Sequence, residues 1–263
     1  MTRSLFALRE PLPRSIGFVL GLVLPVLVLA AWCVASYGGF APPDFLPSPT
    51  EVVRGTLQLF IQYDLLGAIW VSARRIMLAF LLASAVALPL GVLMGAFEPI
   101  NRMFEPIVSP LRYMPISAFI PLLILWFGIY ESQKVAFLFL GVFVYLLPVV
   151  ISSIRAVPEE LVQTSLTLGA SRWQAVTTVL LPSALPEIFD SFRVMNAISW
   201  TYVILAEAVN PSGLGYMVQI AYSHQKPSWS FAGLVVIGGI GLLTDGLIRA
   251  ISNALFRWRE KPA

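Results

Sequence analysis

Four ionisable residues stand where a hydrophobic segment should exclude them: Arg74 and Arg75 just ahead of one apolar run, Arg193 and Glu207 within another. A charge in a bilayer core is costly, so each needs a charged partner or water. An arginine lining a path would favour an anionic solute, because its planar donors match an oxyanion. Arg193 and Glu207 are 14 residues apart, close to four helical turns, which puts them on nearly the same face of one helix. The structural alternative pairs Arg193 with Asp190, three residues earlier, and leaves it a packing role only.

Two further stretches carry residues suited to a path or a gate. Glu207 to Gly215 reads EAVNPSGLG: Asn210 and Pro211 end a helix, and Gly213 and Gly215 permit positive φ or a close backbone approach. Met114, Pro115, Phe119, Pro121, Trp126 and Phe127 make another apolar run aromatic and proline-interrupted, which suits either a path lining or ordinary core packing. Catalytic chemistry has no such candidates. There is no G-x4-G-K-[ST] loop, no H-E-x-x-H and no G-x-S-x-G, and the single histidine, His224, sits in a polar loop without convergent metal donors. The chain cannot hydrolyse a nucleotide by itself.

The elements that must hold these residues are spans. At 263 residues, 58% apolar and 12% charged, with a mean hydropathy of +0.83, the chain is too apolar for a soluble domain, where about a quarter of residues are charged. The net charge of +3 is carried by scattered basic residues, which argues against nucleic acid and for membrane topology. Cys33, the only cysteine, lies in an apolar run and reads as an inert thiol.

Uncharged runs of about 17–25 residues can each cross about 30 Å of hydrocarbon. They occur at 16–36, 76–97, 113–130, 135–154 and 227–244, and the spans built on them are set at 16–36, about 70–97, 113–130, 135–155 and 229–250. The first is too long for a signal-peptide core and lacks a clear cleavage site. Residues 185–209 are charged at both ends and complete the set only because the chain must return across the bilayer. Residues 49–64, amphipathic between Glu51, Arg54 and Asp64, read as a helix lying on the outer membrane face. Six crossings put both termini on one side. Arg3, Arg9, Arg14, Arg102, Arg112, Arg155, Arg172, Arg249, Arg257, Arg259 and Lys261 fall there, against Arg54, Lys134 and Lys226 opposite, so that side, with tails 1–15 and 251–263, is cytoplasmic.

One polar interruption, residues 157–183, reads as a helix–turn–helix on the cytoplasmic side. Pro158, Glu159 and Glu160 suit a helix start, and Leu161, Thr164, Ser165 and Leu168 form a narrow face. Gly169 fits a left-handed exit, and Ser171 with Gln174 forms a capping box that opens a second helix running to Pro182. A short helix with a small-residue face suits docking into a groove on a soluble partner; the plain alternative is a solvated helical loop.

Here the chain resembles the permease subunits of ATP-binding-cassette importers. Their cytoplasmic "EAA" loop has the pattern E-A-A-x3-G-x9-I-x-L-P, and Gln163-Thr164-Ser165, Gly169 and Val179-Leu180-Leu181-Pro182 fall in its register. Gln replaces Glu, and Thr-Ser replaces Ala-Ala. The phrases LGASRW and LPSALPEI resemble the nitrate, sulfonate, taurine and bicarbonate branch, and the likeness runs from about residue 45 to 257.

The resemblance implies an all-α membrane protein of the type I importer (MetI-like) permease fold, with six transmembrane helices, paired with a second copy. It also implies two cytoplasmic ATPase subunits that bind ATP and Mg, and an external substrate-binding protein; this chain holds no cofactor. Pro158, Glu159, Glu160, Gln163, Thr164, Ser165, Leu168, Gly169, Ala170, Ser171 and Arg172 become the coupling surface. Arg74, Arg75, Met114, Phe119, Trp126, Arg193, Glu207, Asn210, Gly213 and Gly215 become path or gate candidates. The implied cargo is a small anion of the nitrate, bicarbonate, sulfonate or taurine class, with a neutral heterocyclic precursor as an alternative. A channel or secondary transporter working without ATP is the competing function.

Overall fold

The computed structural model describes residues 13–210 and 212–257; Arg3, Arg9, Pro211, Arg259 and Lys261 lie outside them. Among the described residues every element is a helix. The first, α1 (Arg14–Tyr37), is uncharged from Ile16 onward, and none of its span window is buried. Near its end Trp32 Nε1 donates to Pro47 O at 3.0 Å and stacks on Phe231, and Tyr37 donates to Thr50. Cys33 on this helix is half-buried.

Helix α2 (Pro49–Gln62) opens on a full capping box between Ser48 and Glu51. It buries Val52, Gly55 and Leu59 and leaves Val53, Leu57, Phe60 and Ile61 exposed, the two-sided pattern expected of an interfacial helix. Hydrogen bonds from the Ser48 backbone and hydroxyl hold the Glu51 carboxyl below the usual carboxylate range. A depressed folded-state pKa stabilises the folded form above the unfolded value, and that contribution vanishes as pH falls through the folded one. The protection factors of amides at the start of α2, corrected for the intrinsic exchange rate, should therefore fall on acidification below pH about 4, and Glu51→Gln should remove that fall.

The core is the pair α3 (Leu65–Ala96) and α6 (Glu131–Arg155). Along α3, Ala79, Ala83, Ala87, Gly91 and Gly95 recur every fourth residue and form one smooth stripe. Small residues at that spacing let helix backbones approach closely in a membrane. A Cβ added at Gly91 would sit 2.7 Å from Val150 Cβ, and one at Gly95 would sit 2.7 Å from Ile154 Cβ. Gly91→Ala should thus cost about 1–3 kcal/mol through overpacking, read as a lower unfolding midpoint in detergent.

Between them the chain departs from a straight span at 113–130. An amphipathic helix, α4 (Glu98–Leu111), comes first; the chain breaks at Arg112–Pro115, makes a 3-10 turn at Ile116–Phe119, and resumes as α5 (Ile120–Phe127). The two helices are bent by 91°. Eight residues of α5 rise only about 12 Å, too short to cross alone. Pro110, Pro115 and Pro121 remove backbone donors around the bend and explain it.

The chain continues through α7 (Glu159–Thr167), α8 (Arg172–Ala175), α9 (Leu181–Glu207), α10 (Leu214–Ser223) and α11 (Pro227–Leu255). Among the described residues four helices are long and apolar enough to cross a membrane: α1, α3, α6 and α11; the bent pair would be a fifth. Helix α9 has the length for a sixth, but Glu187, Asp190 and Arg193 interrupt its apolar character. Boundaries move outward from the expected ones: α3 starts at Leu65, α6 at Glu131, and α11 runs to Leu255, into the expected tail.

Candidate functional site

The hairpin is built as its sequence dictates on the first side. Pro158 precedes α7, Glu159 and Glu160 occupy its first turn, and no residue of α7 is buried. Gln163 bonds back to Glu159, Thr164 to Glu160 O and Thr167 to Gln163 O. These polar groups are spent on their own helix. What α7 and its exit present outward is Leu161, Leu166 and Leu168, the last 84% exposed, with Trp173 beside them. Gly169 adopts φ +93°; its N–H reaches Leu166 O and the Ala170 N–H reaches Ser165 O, closing the helix end. Ser171 and Gln174 then form both bonds of the capping box.

The second side differs from expectation. Pro182 does not end a helix, and no separate span begins near residue 185. Helix α8, of four residues with Arg172 in its first turn, passes into a π-helical segment, Val176–Leu180, and directly into α9. The Leu181 N–H bonds to Val176 O, five residues back. The widened turn relieves the clash that the Pro182 ring would otherwise make with a carbonyl one turn earlier. Ala175 and Val176 are buried, and Val176 joins Ala184 and Ile188 in the core cluster that contains Val150 and Ile154. The hairpin is therefore one piece with α9.

At the other end of α9, five of the gate candidates meet in a buried polar clasp. Arg75 from α3 is 2% exposed at its side chain and Glu207, the last residue of α9, is 0%. Arg75 Nη1 donates to Glu207 Oε1 at 2.6 Å and to Ser212 O at 3.2 Å; Nη2 donates to Ser212 Oγ at 2.8 Å. Its Nε donates to Glu131 Oε2 at 2.7 Å, with Nη2 on Glu131 Oε1 completing a fork. All five guanidinium N–H groups are thereby used.

Glu207 is equally committed. Ser72 Oγ lies 2.7 and 2.9 Å from its two oxygens, the Gly215 N–H donates to it at 2.8 Å, and Ser72 Oγ accepts the Leu214 N–H at 2.9 Å. The carboxylate thus sits on the first turn of α10, where helix amides favour negative charge. Lys134, 1% exposed at its side chain, donates to Asn210 O and Ser212 Oγ, both at 2.7 Å, and Asn210 Nδ2 donates to Ile129 O. Gly213, at φ +84°, and Gly215 are glycines because a Cβ at either would run into Glu207. Two cations and two carboxylates make the clasp neutral.

The other candidates fall elsewhere. Arg74 is exposed beside the clasp, with Nη2 3.9 Å from Glu131. Met114 and Trp126 are exposed and Phe119 half-buried along the bent segment. Arg193 shares no site with Glu207; Asp190 adds its charge nearby, but the hydrogen-bonded fork goes elsewhere. Its Nε and Nη2 fork onto Asp245 of α11 at 2.7 and 3.0 Å, and Arg249 joins at 3.3 Å. Asn196 and Trp200 both donate to Thr244 nearby, so this is an α9–α11 packing seam. Sequence reasoning missed Ser72, Glu131, Lys134, Ser212 and Asp245. Glu131 and Lys134, spaced i, i+3 at the mouth of an apolar run, were the available signal.

Comparison with known proteins places this architecture. Residues 87–257 match the family model described as "Binding-protein-dependent transport system inner membrane component". The taurine transport system permease protein TauC of Escherichia coli (strain K12) is 32% identical over 256 residues, spanning 95% of this chain and 92% of its own. The nitrate import permease protein NrtB of Synechocystis sp. (strain PCC 6803) is 27% identical over 229 residues, spanning 82% of each. A solved structure titled "Inward facing conformations of the MetNI methionine ABC transporter" aligns with 76% of this chain and 98% of its own, with a TM-score of 0.64 at 21% identity, which shows a shared fold. With nearly two thirds of its length inside that family model and almost all of it aligned to TauC, the chain belongs to the binding-protein-dependent transport system inner membrane components, as a permease subunit of an ABC importer.

Proposed function

We propose that this permease crosses the bacterial inner membrane six times, with both termini and the 157–183 hairpin in the cytoplasm, and works as a pair of identical copies. Two cytoplasmic ATP-binding subunits, which hold the ATP and Mg, seat α7 and the Gly169–Arg172 turn in a groove. A binding protein outside delivers a small anion of the sulfonate, taurine, nitrate or bicarbonate class to the mouth near Asn210–Gly215. Closure of the ATPases then drives alternating access. The anion class rests on relatives named for taurine and nitrate transport.

The observation that carries this reading is the continuous helix from α8 through the π segment into α9, with the exposed α7 closed onto its start by the Gly169 turn. A force passed through the Gly169 turn to Arg172 meets no further break in the helix before it reaches the bundle. The orientation is supported by the arginine count, and the placement of the clasp at the outer mouth by its position at the far end of α9 from the hairpin.

The test is reconstitution with and without the ATPase subunits, together with Leu168→Glu. Uptake should require ATP and the ATPases, and the variant should lose ATPase copurification while keeping its helicity. Full uptake by the permease alone would sink the proposal, as would undiminished ATPase retention by Leu168→Glu.

A further inference from the structure

A second polar site lies at the hairpin end of the bundle and plays no part in the coupling argument. Helices α4 and α6 line an open cleft of about 190 Å³ beside Met94 of α3, with Glu105, Arg112 and Arg155 exposed on its wall. Its polar walls are Asn101, Glu105, Ser109 and Arg112 from the α4 side, and Ser152 and Arg155 from the last turn of α6.

The charges here are arranged unlike those of the clasp. Among the described residues Arg112 has no ion-pair partner; its Nη2 donates to Ser109 Oγ at 3.1 Å. Arg155 touches Glu98 only at 3.4 Å, and that carboxylate is already held by Arg102 at 2.8 Å. Each arginine offers five N–H donors, so most remain unspent. Glu105 has no ion-pair partner among the described residues either, and is held by Asn101 Nδ2 at 2.9 Å, with Asn101 itself buried. Two helices, α4 and α6, end beside the cleft at Leu111 and Arg155, and helix C-termini favour positive charge.

A bare anion would meet two guanidinium groups but also a carboxylate and two negative helix ends. A compact zwitterion meets both fields with the right sign. We propose that the α4–α6 cleft binds a small zwitterion, its oxyanion held by Arg112 and Arg155 and its ammonium by Glu105 and the helix-end carbonyls. Aminosulfonates in solution and the phosphoethanolamine headgroup of a membrane lipid share this chemistry. Arg155 lies three residues before Pro158, so a bound ligand would tie α4 to the root of the hairpin.

The test uses the full chain in non-ionic detergent, followed by native mass spectrometry for retained phosphatidylethanolamine and by calorimetric titration with taurine and with isethionate, which carries a hydroxyl in place of the ammonium. Wild type should retain one lipid or bind one taurine per chain, and isethionate about tenfold more weakly than taurine. Arg112→Gln with Arg155→Gln should lower affinity for the bound ligand at least about tenfold at unchanged helicity. Glu105→Gln should abolish the preference for taurine over isethionate, or weaken lipid retention, while the arginine contacts stay. Lipid retained without a taurine response assigns the source to the membrane, and a taurine isotherm without lipid assigns it to solution; both sustain the site. Absence of saturable retention of either by wild type, or retention by the double variant equal to wild type, would overturn it.

Discussion

Glu207→Gln should destabilise the permease by about 3–5 kcal/mol, as expected when one partner of a buried ion pair is removed and the other stays. The substitution keeps shape and changes only charge and donor pattern. Arg75, 2% exposed at its side chain, would remain within hydrogen-bonding distance of position 207 but face a neutral amide. The new Nε2 would meet donors on every side, since Ser72 Oγ–H, the Gly215 N–H and Arg75 Nη1–H all point at the present carboxylate. One amide oxygen cannot serve three donors, and the clasp would carry an excess positive charge. Reversible unfolding in mixed micelles reads the loss directly. A midpoint within error of wild type would mean that water already screens the pair, contrary to the burial of both side chains.

A double variant separates a real clasp from a merely crowded site. Arg75→Met with Glu207→Met removes both charges together, so neither is left without the other, and its cost should fall well below the sum of the single losses. Glu131 would lose its fork but is 52% exposed at its side chain and can return to water. Additive losses would show that the two residues do not act as a unit.

Much of the hairpin was legible in sequence because its signals are local. Pro158, the two glutamates, Gly169 and the Ser171–Gln174 box each depend on residues within one turn, and each forms as the sequence indicates. The π segment was not legible. Pro182 is a strong stop signal by itself, and only the burial of Ala175, Val176 and Ala184 against the core makes a widened turn cheaper than a break. The clasp was half legible. Unusual residues at 75, 207, 210, 213 and 215 stood out, but the bonds joining Arg75 to Glu207 span 132 positions and those joining Lys134 to Ser212 span 78. No periodicity encodes such pairs. The same blindness hid the main partner of Arg193, because Asp245 lies 52 residues away on another helix.

Gly169→Val should lower substrate-stimulated ATP hydrolysis and uptake at least about tenfold while leaving the folded bundle intact, because the strain it adds is confined to the turn. A Cβ at Gly169 would meet nothing within 4 Å, so the loss cannot arise from a clash. It arises from φ +93°, which a β-branched residue adopts only at a cost of about 1–3 kcal/mol. The cheapest relief is to unwind the end of α7 and swing Leu168 and Ala170 away from their present positions. Nothing buried depends on that turn, since α7 has no buried residue, so the unfolding midpoint should barely move. Helix α9, about 40 Å of continuous rod from Leu181 to the clasp, would then receive no push from a partner seated on α7. Asparagine tolerates the left-handed region far better than valine. Gly169→Asn should therefore recover most of the coupling, and failure of that rescue would show that the turn needs glycine for close approach to a partner rather than for its backbone angle. Wild-type coupling in Gly169→Val would remove the turn from the mechanism altogether.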